Sequence, residues 1–186
     1  LASSDPMLLT NVFAVDGRSG RLLKNWPIDW RGSAGAISGN LRIIGTDHAW
    51  PHHETLAVYS GPDFKLLWTR RDPKEPTVAG IAAEGDKMLV ATYEDEHMLP
   101  SGRAGLEMMS ARTGKTIWTK EITVDYMLLP TPVALTQGTA IFFMDDTKDS
   151  GVVEAFDANT GAQKWIVHTD RRLVDGVICS GPRCYI

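Results

Sequence analysis

The sequence predicts an all-β fold, a β-propeller of four-stranded antiparallel blades, and three observations carry that prediction. The first is a phrase, Val152 to Trp165 (Val-Val-Glu-Ala-Phe-Asp-Ala-Asn-Thr-Gly-Ala-Gln-Lys-Trp), that recurs along the chain. Gly105 to Trp118 and Thr55 to Trp68 repeat it, and a looser copy runs from Asn11 through Asp16 and Gly20 to Trp26. The second is the period: the lead residues Asp16, Ser60, Ser110 and Asp157 stand 44, 50 and 47 positions apart, the spacing of propeller blades. The third is the grammar inside each copy, a strand, a tight turn and a second strand ending on Trp.

Each part of the phrase has a physical reason. Leu-Ala-Val-Tyr and Val-Glu-Ala-Phe suit a half-buried strand, and Asp-Ala-Asn-Thr-Gly supplies a turn whose glycine tolerates positive φ. Trp68, Trp118 and Trp165 each follow the turn position by four residues, so they should occupy equivalent places as anchors between neighbouring sheets, with Gly114 and Gly161 as turn glycines. The copies are imperfect: Phe64 replaces the turn glycine of the second, and Lys24 stands in the Trp place of the first.

Naming the strands A to D within a blade, strand C is expected at Val12 to Val15, Leu56 to Tyr59, Leu106 to Met109 and Val152 to Phe156, and strand D follows its turn. Strand A is expected near Ala34 to Ser38, Val78 to Ala83, Thr131 to Leu135 and Val174 to Cys179. Turns with Gly39, Gly85, Gly138 and Gly181 lead to strand B near Leu41 to Gly45, Met88 to Ala91, Ala140 to Met144 and Cys184 to Ile186. That makes about sixteen strands in one segment, 1–186, with repeat units near 5–46, 47–92, 93–144 and 145–186. Leu1 to Ser4 also stands in a B position, so a closed ring of four would put two segments in one slot. The expectation is an arc of about four blades from a longer chain, with an open edge at each end for the remaining blades of that chain or for a second copy.

A chain of 186 residues with 43% hydrophobic content is long enough to bury a core. Its formal charge of −4 argues against a nucleic-acid surface, which needs clustered Lys and Arg. No apolar run approaches the roughly 20 residues that cross a bilayer as a helix. Cys179 and Cys184 flank Ser-Gly-Pro-Arg and would face each other in a hairpin; a disulfide and a pair of buried thiols both fit. A bond would favour an extracytoplasmic setting, periplasmic or secreted.

The strand ending in Ala-x-Asp followed by x-x-Thr-Gly-x-x-x-Trp resembles the repeat of the pyrroloquinoline-quinone-like (PQQ-like, quinoprotein-type) β-propellers, over nearly the whole chain. That family includes quinoprotein alcohol dehydrogenases and an outer-membrane assembly lipoprotein that acts as a scaffold, and the likeness is to the scaffold more than to a dehydrogenase. The resemblance implies a ring of seven or eight blades. It is specific for fold, since the repeated residues are structural, and no position matches the dehydrogenases' calcium ligands or aspartate base.

In a blade ordered A, B, C, D the A–B and C–D turns share one end and the B–C and D–A connections the other. The first set is short and glycine-rich, so recognition is expected on the second, the loop face. Its B–C loops are expected at Asp47 to Glu54, Glu94 to Ala104 and Asp145 to Gly151, and its D–A links at Ile28 to Ser33, Arg70 to Thr77, Glu121 to Pro130 and Thr169 to Leu173. The candidate binding residues are Trp30, Trp50, Glu94, Asp95, Glu96, Tyr126, Asp145 and Asp146. The carboxylates would share a rim that attracts a cation or a basic partner, or simply keep the face solvated. Asp47, His48, His52, His53 and Glu54 are transition-metal ligand types, but without a recognised spacing, and adjacent histidines on extended backbone point apart.

Gly-x-Ser-x-Gly, His-Glu-x-x-His and a phosphate-cradling glycine loop do not occur. The reading is therefore a non-catalytic binding or scaffold domain with no catalytic residue and no cofactor, facing a protein or an extracellular ligand. The alternative is part of a quinoprotein oxidoreductase using PQQ and calcium. A carbohydrate face on Trp30, Trp50 and Tyr126 is a third option.

Overall fold

Runs such as Met88-Leu-Val-Ala and Ala140-Ile-Phe-Phe are apolar at every position, which a strand needs when both its faces are covered. The computed structural model describes residues 10–15, 19, 21–28, 32–46, 56–61, 63, 65–70, 77–93, 102–124, 133–145, 150–170, 177–180 and 183–185. Among these there are sixteen strands and no helix.

Three complete sheets carry the architecture. The first comprises β3 (Gly32–Ser38), β4 (Leu41–Thr46), β5 (Leu56–Ser60) and β6 (Lys65–Arg70). The second comprises β7 (Thr77–Glu84), β8 (Lys87–Tyr93), β9 (Gly102–Ser110) and β10 (Thr116–Val124). The third comprises β11 (Val133–Thr136), β12 (Thr139–Asp145), β13 (Gly151–Asp157) and β14 (Gln163–Thr169). Each pairs antiparallel in chain order, so its strands are A, B, C and D. Before them β1 (Thr10–Val15) and β2 (Leu22–Ile28) form a C–D pair, and after them β15 (Ile178–Ser180) and β16 (Arg183–Tyr185) form an A–B pair. The sheets are thus half a period out of phase with the sequence repeat.

Strand alternation sends successive side chains to opposite neighbours. From β8, Met88 and Val90 pack with Ile43 and Val58 of the first sheet, while Leu89 and Ala91 pack with Phe142 and Phe156 of the third. From β12, Ala140 and Phe142 face the second sheet, while Ile141 and Phe143 join the cluster that reaches Cys179 and Cys184. Each sheet therefore stacks face to face on the next, with the cores between them.

The register contains a device absent from the expected pattern. Every C–D pair has a bulge before the Trp position: Val58 faces Trp68 but Tyr59 faces Leu66, and Met108 faces Trp118 but Met109 faces Thr116. Ala155 faces Trp165 but Phe156 faces Gln163. In the first hairpin Ala14 faces Lys24 and Val15 faces Leu22, so Lys24 holds the Trp position in register as well as in sequence. A bulge advances one strand by a residue and re-aims the side chains beyond it.

Several expected loops are shorter than the sequence suggested. The β9–β10 ladder runs on to Val124 opposite Gly102, which makes Ala104 and Glu121 strand residues. The β12–β13 ladder likewise includes Asp145 opposite Gly151. Backbone pairing continues there because neighbouring strands of matched length leave no N–H or C=O row unpaired.

Candidate binding face

Antiparallel order within the three complete sheets brings the A–B and C–D turns to one end of the arc and the B–C and D–A connections to the other. The turn end is closed by hydrogen bonds. Within each sheet the residue after the lead position donates its N–H to the A–B turn: Gly61 to Asn40, Ala111 to Asp86 and Ala158 to Gly138, at 3.0, 2.7 and 2.9 Å. Between sheets, Ser38 Oγ donates to the Gly85 carbonyl at 3.0 Å, and Glu84 accepts from the N–H groups of Gln137 (2.8 Å) and Gly138 (3.1 Å).

The C–D turns reach one geometry by two routes. Asp157 Oδ1 accepts from the N–H groups of Asn159 and Thr160 at 2.9 and 3.0 Å, an Asx-type turn. The Asn159 N–H, foremost, holds the Asp157 carboxyl below its ordinary value, with Thr160 and the nearby Lys164 ammonium adding to the effect against a smaller burial penalty. Ser110 stands in the same place without a carboxylate, and Asp86 from the A–B turn supplies one: it accepts from the Arg112 N–H at 2.9 Å and from Ser110 Oγ at 3.0 Å. That substitution was not legible in the repeat, because the two residues come from different turns.

The tryptophans tie the sheets together. Trp68 Nε1 donates to the Ala111 carbonyl at 2.9 Å and Trp118 Nε1 to that of Ala158 at 3.2 Å, in each case the C–D turn of the next sheet. Their rings lie against the turn glycines, so a Cβ on Gly114 would stand 3.2 Å from Trp68 and one on Gly161 3.0 Å from Trp118. Ala111 and Ala158 are fully buried beneath them. Trp165 holds the same register but is 42% exposed, because among the described residues no C–D turn lies beyond the third sheet. Two further links span the stack: Arg70 pairs with Glu107 at 2.7 Å, and the Lys120 ammonium sits 4.2 Å over the Phe156 ring.

At the loop end the connections run over 47–55, 94–101 and 146–150 between strands B and C, and over 29–31, 71–76, 125–132 and 170–177 between sheets. Trp30, Trp50, Glu94, Asp95, Glu96, Tyr126 and Asp146 lie outside the described residues, as do Asp47, His48, His52, His53 and Glu54. Asp145 is placed as the last residue of β12, at the root of the third B–C connection. Among the described residues no group of three His, Cys, Asp or Glu is placed to hold a metal. Cys179 and Cys184 are directly opposed in the β15–β16 ladder, with Cα atoms 4.1 Å apart, and are bonded.

The same arc occurs in solved structures. It superposes on the Dos1 propeller with a TM-score of 0.58 at 13% identity, covering 90% of this chain and 44% of that one. The chain is an arc of a β-propeller. Hydrazine synthase from Kuenenia stuttgartiensis (TM-score 0.57, 13% identity, 86% of this chain and 43% of that one) holds a similar arc. So does BamB from Moraxella catarrhalis (TM-score 0.55, 18% identity, 82% and 41%). The propeller arc thus spans less than half the length of each of these neighbours. No family model and no curated protein matches the sequence. No helix among the described residues is long and apolar enough to cross a membrane.

Proposed function

We propose that this chain is a non-catalytic binding or scaffold arc of a PQQ-like β-propeller, which presents its B–C and D–A loops to a protein or an extracellular ligand. The observation that carries this reading is the contrast between the two ends. Backbone and side-chain bonds between Glu84, Gln137, Gly138, Asp86 and their neighbours occupy the turn end, whereas the connections long enough for recognition leave from the other. The bonded Cys179–Cys184 pair supports an extracytoplasmic setting.

A photo-crosslinker tests the face directly. Placed at Trp50 or Tyr126 in the presence of extracytoplasmic extract, it should give a discrete adduct, and at Thr113 or Asn159 on the turn end it should give none. Equal yield from both ends would overturn the assignment. Titration with PQQ and calcium tests the non-catalytic part: the thermal midpoint should stay flat, and a saturable rise would favour a quinoprotein oxidoreductase instead.

A further inference from the structure

The C–D hairpins share one register: Val15 faces Leu22, Tyr59 faces Leu66, Met109 faces Thr116 and Phe156 faces Gln163, each beside the bulge. The chain around those positions reads Arg21-Leu22-Leu23, Lys65-Leu66-Leu67, Lys115-Thr116-Ile117 and Ala162-Gln163-Lys164. Three successive copies therefore enter strand D with a cation followed closely by aliphatic residues, and the fourth departs from that pattern.

The fold leaves these side chains open. Leu22, Leu66, Leu67 and Ile117 are 53, 48, 38 and 41% exposed, and Arg21, Lys65 and Lys115 are exposed beside them. Strand alternation would send Leu66 and Leu67 to opposite faces of β6; the bulge leaves Leu67 as the extra residue between Leu66 and Trp68, and both stay uncovered. This is not the exposure of a chain end, because the second sheet has a sheet stacked on each face and its Ile117 is open all the same.

Position and charge agree. Strands β3, β7 and β11 are neighbours, which puts the A strands toward the axis and the D strands on the circumference. Each cation directly follows a C–D turn, so in the repeat all three corners belong to the outer rim of the turn end. Arg21, Lys65 and Lys115 make no ion pair among the described residues. Carboxylates at this end are engaged: Glu84 accepts from Gln137 and Gly138, Asp86 from Arg112 and Ser110, and Asp157 from Asn159 and Thr160. Asp63, two residues before Lys65, is the acidic neighbour that the rim retains.

Lysine at a sheet edge is by itself a guard against strand pairing, but that role needs no aliphatic companion. A protein interface centres on one contiguous apolar core inside a polar border. Here the aliphatic side chains come in ones and twos, a blade apart, each beside its own cation. A laterally uniform anionic surface meets such points equally, with aliphatic groups entering the acyl boundary and cations staying among the headgroups. We infer that the outer rim of the turn end docks onto an anionic phospholipid bilayer through Arg21, Leu22, Lys65, Leu66, Lys115 and Ile117. With a net charge of −4 the chain as a whole is repelled by such a surface, so the attraction has to come from this rim. The loop face then points away from the bilayer, and the docking does not depend on what that face binds.

Co-sedimentation with vesicles tests it. The 186-residue chain should bind vesicles of equal parts phosphatidylglycerol and phosphatidylcholine, ignore vesicles of phosphatidylcholine alone, and be released by raised salt. Lys65→Gln and Lys115→Gln should each weaken binding about fivefold, the contribution of one cation near an anionic surface. Leu66→Ser should also weaken it, with the salt dependence unchanged. Ala162→Lys, which gives the fourth copy its cation, should strengthen binding about fivefold. Asp170→Asn shifts the net charge by the same amount at the loop end and should leave binding as it was. All five side chains are exposed, so circular dichroism should match the unaltered chain throughout. No binding to the anionic vesicles, equal binding to the neutral ones, or equal gains from Ala162→Lys and Asp170→Asn would overturn the inference. Capture by immobilised polyglutamate without binding to vesicles would overturn it in favour of an acidic protein.

Discussion

The indole of Trp118 lies on Gly161: a Cβ there would be 3.0 Å from the ring, and the glycine's φ of +70° is itself a conformation that other residues rarely adopt. Gly161→Ala therefore combines backbone strain with overlap, while Gly85→Ala, at φ +62° with nothing within 4 Å, carries only the strain. Urea unfolding should show a loss of about 1 kcal/mol for Gly85→Ala and about 2–3 kcal/mol for Gly161→Ala. Equal losses would mean that the Trp118 contact is slack.

Asp157 makes the C–D turn of the third sheet acid-sensitive. Its carboxyl is held below its ordinary value of 3.8 by the Asn159 N–H first, so the carboxylate form is favoured in the folded state. The contribution is complete above that ordinary value and disappears as the pH falls through the lowered one. Asp157→Asn should show a flatter decline in stability in that acid range than the unaltered chain. Parallel curves would remove Asp157 from the acid response.

Gln137 holds φ at +48° in the A–B turn of the third sheet, where Gly39 and Gly85 serve in the turns of the other two. A two-residue hairpin turn with Gly138 following favours Asn at that place. Gln137→Asn should raise stability by about 0.5–1 kcal/mol, read as a higher urea midpoint at constant slope. A fall would show that the Gln side chain makes a compensating contact.

Most of the fold was legible because its causes are local. Tight turns announced by Gly39, Gly85 and Gly138 alternate with apolar runs such as Ala140 to Met144, and each run became a strand within a few residues of its expected place. What escaped the sequence depends on partners distant along the chain. Asp86 serving Ser110, Glu84 capping Gln137 and Gly138, and the bulge that aims Trp68 and Trp118 onto the next sheet are contacts between turns or strands. The strand order bears out which connections share an end, while the candidate binding residues on those connections rest on the sequence alone. Their chemistry rests on the sequence, since Trp50, Tyr126 and the acidic triplet Glu94, Asp95 and Glu96 lie outside the described residues.

The central claim is that each tryptophan is an anchor only when the next sheet's turn receives it. It is tested most directly by urea unfolding of Trp68→Phe, Trp118→Phe and Trp165→Phe, each compared with the unaltered chain. Removing the indole N–H leaves the buried Ala111 or Ala158 carbonyl short of its donor, so the first two variants should lose about 1–3 kcal/mol, whereas Trp165→Phe should stay within about 0.5 kcal/mol. Three equal losses, or none, would contradict the account.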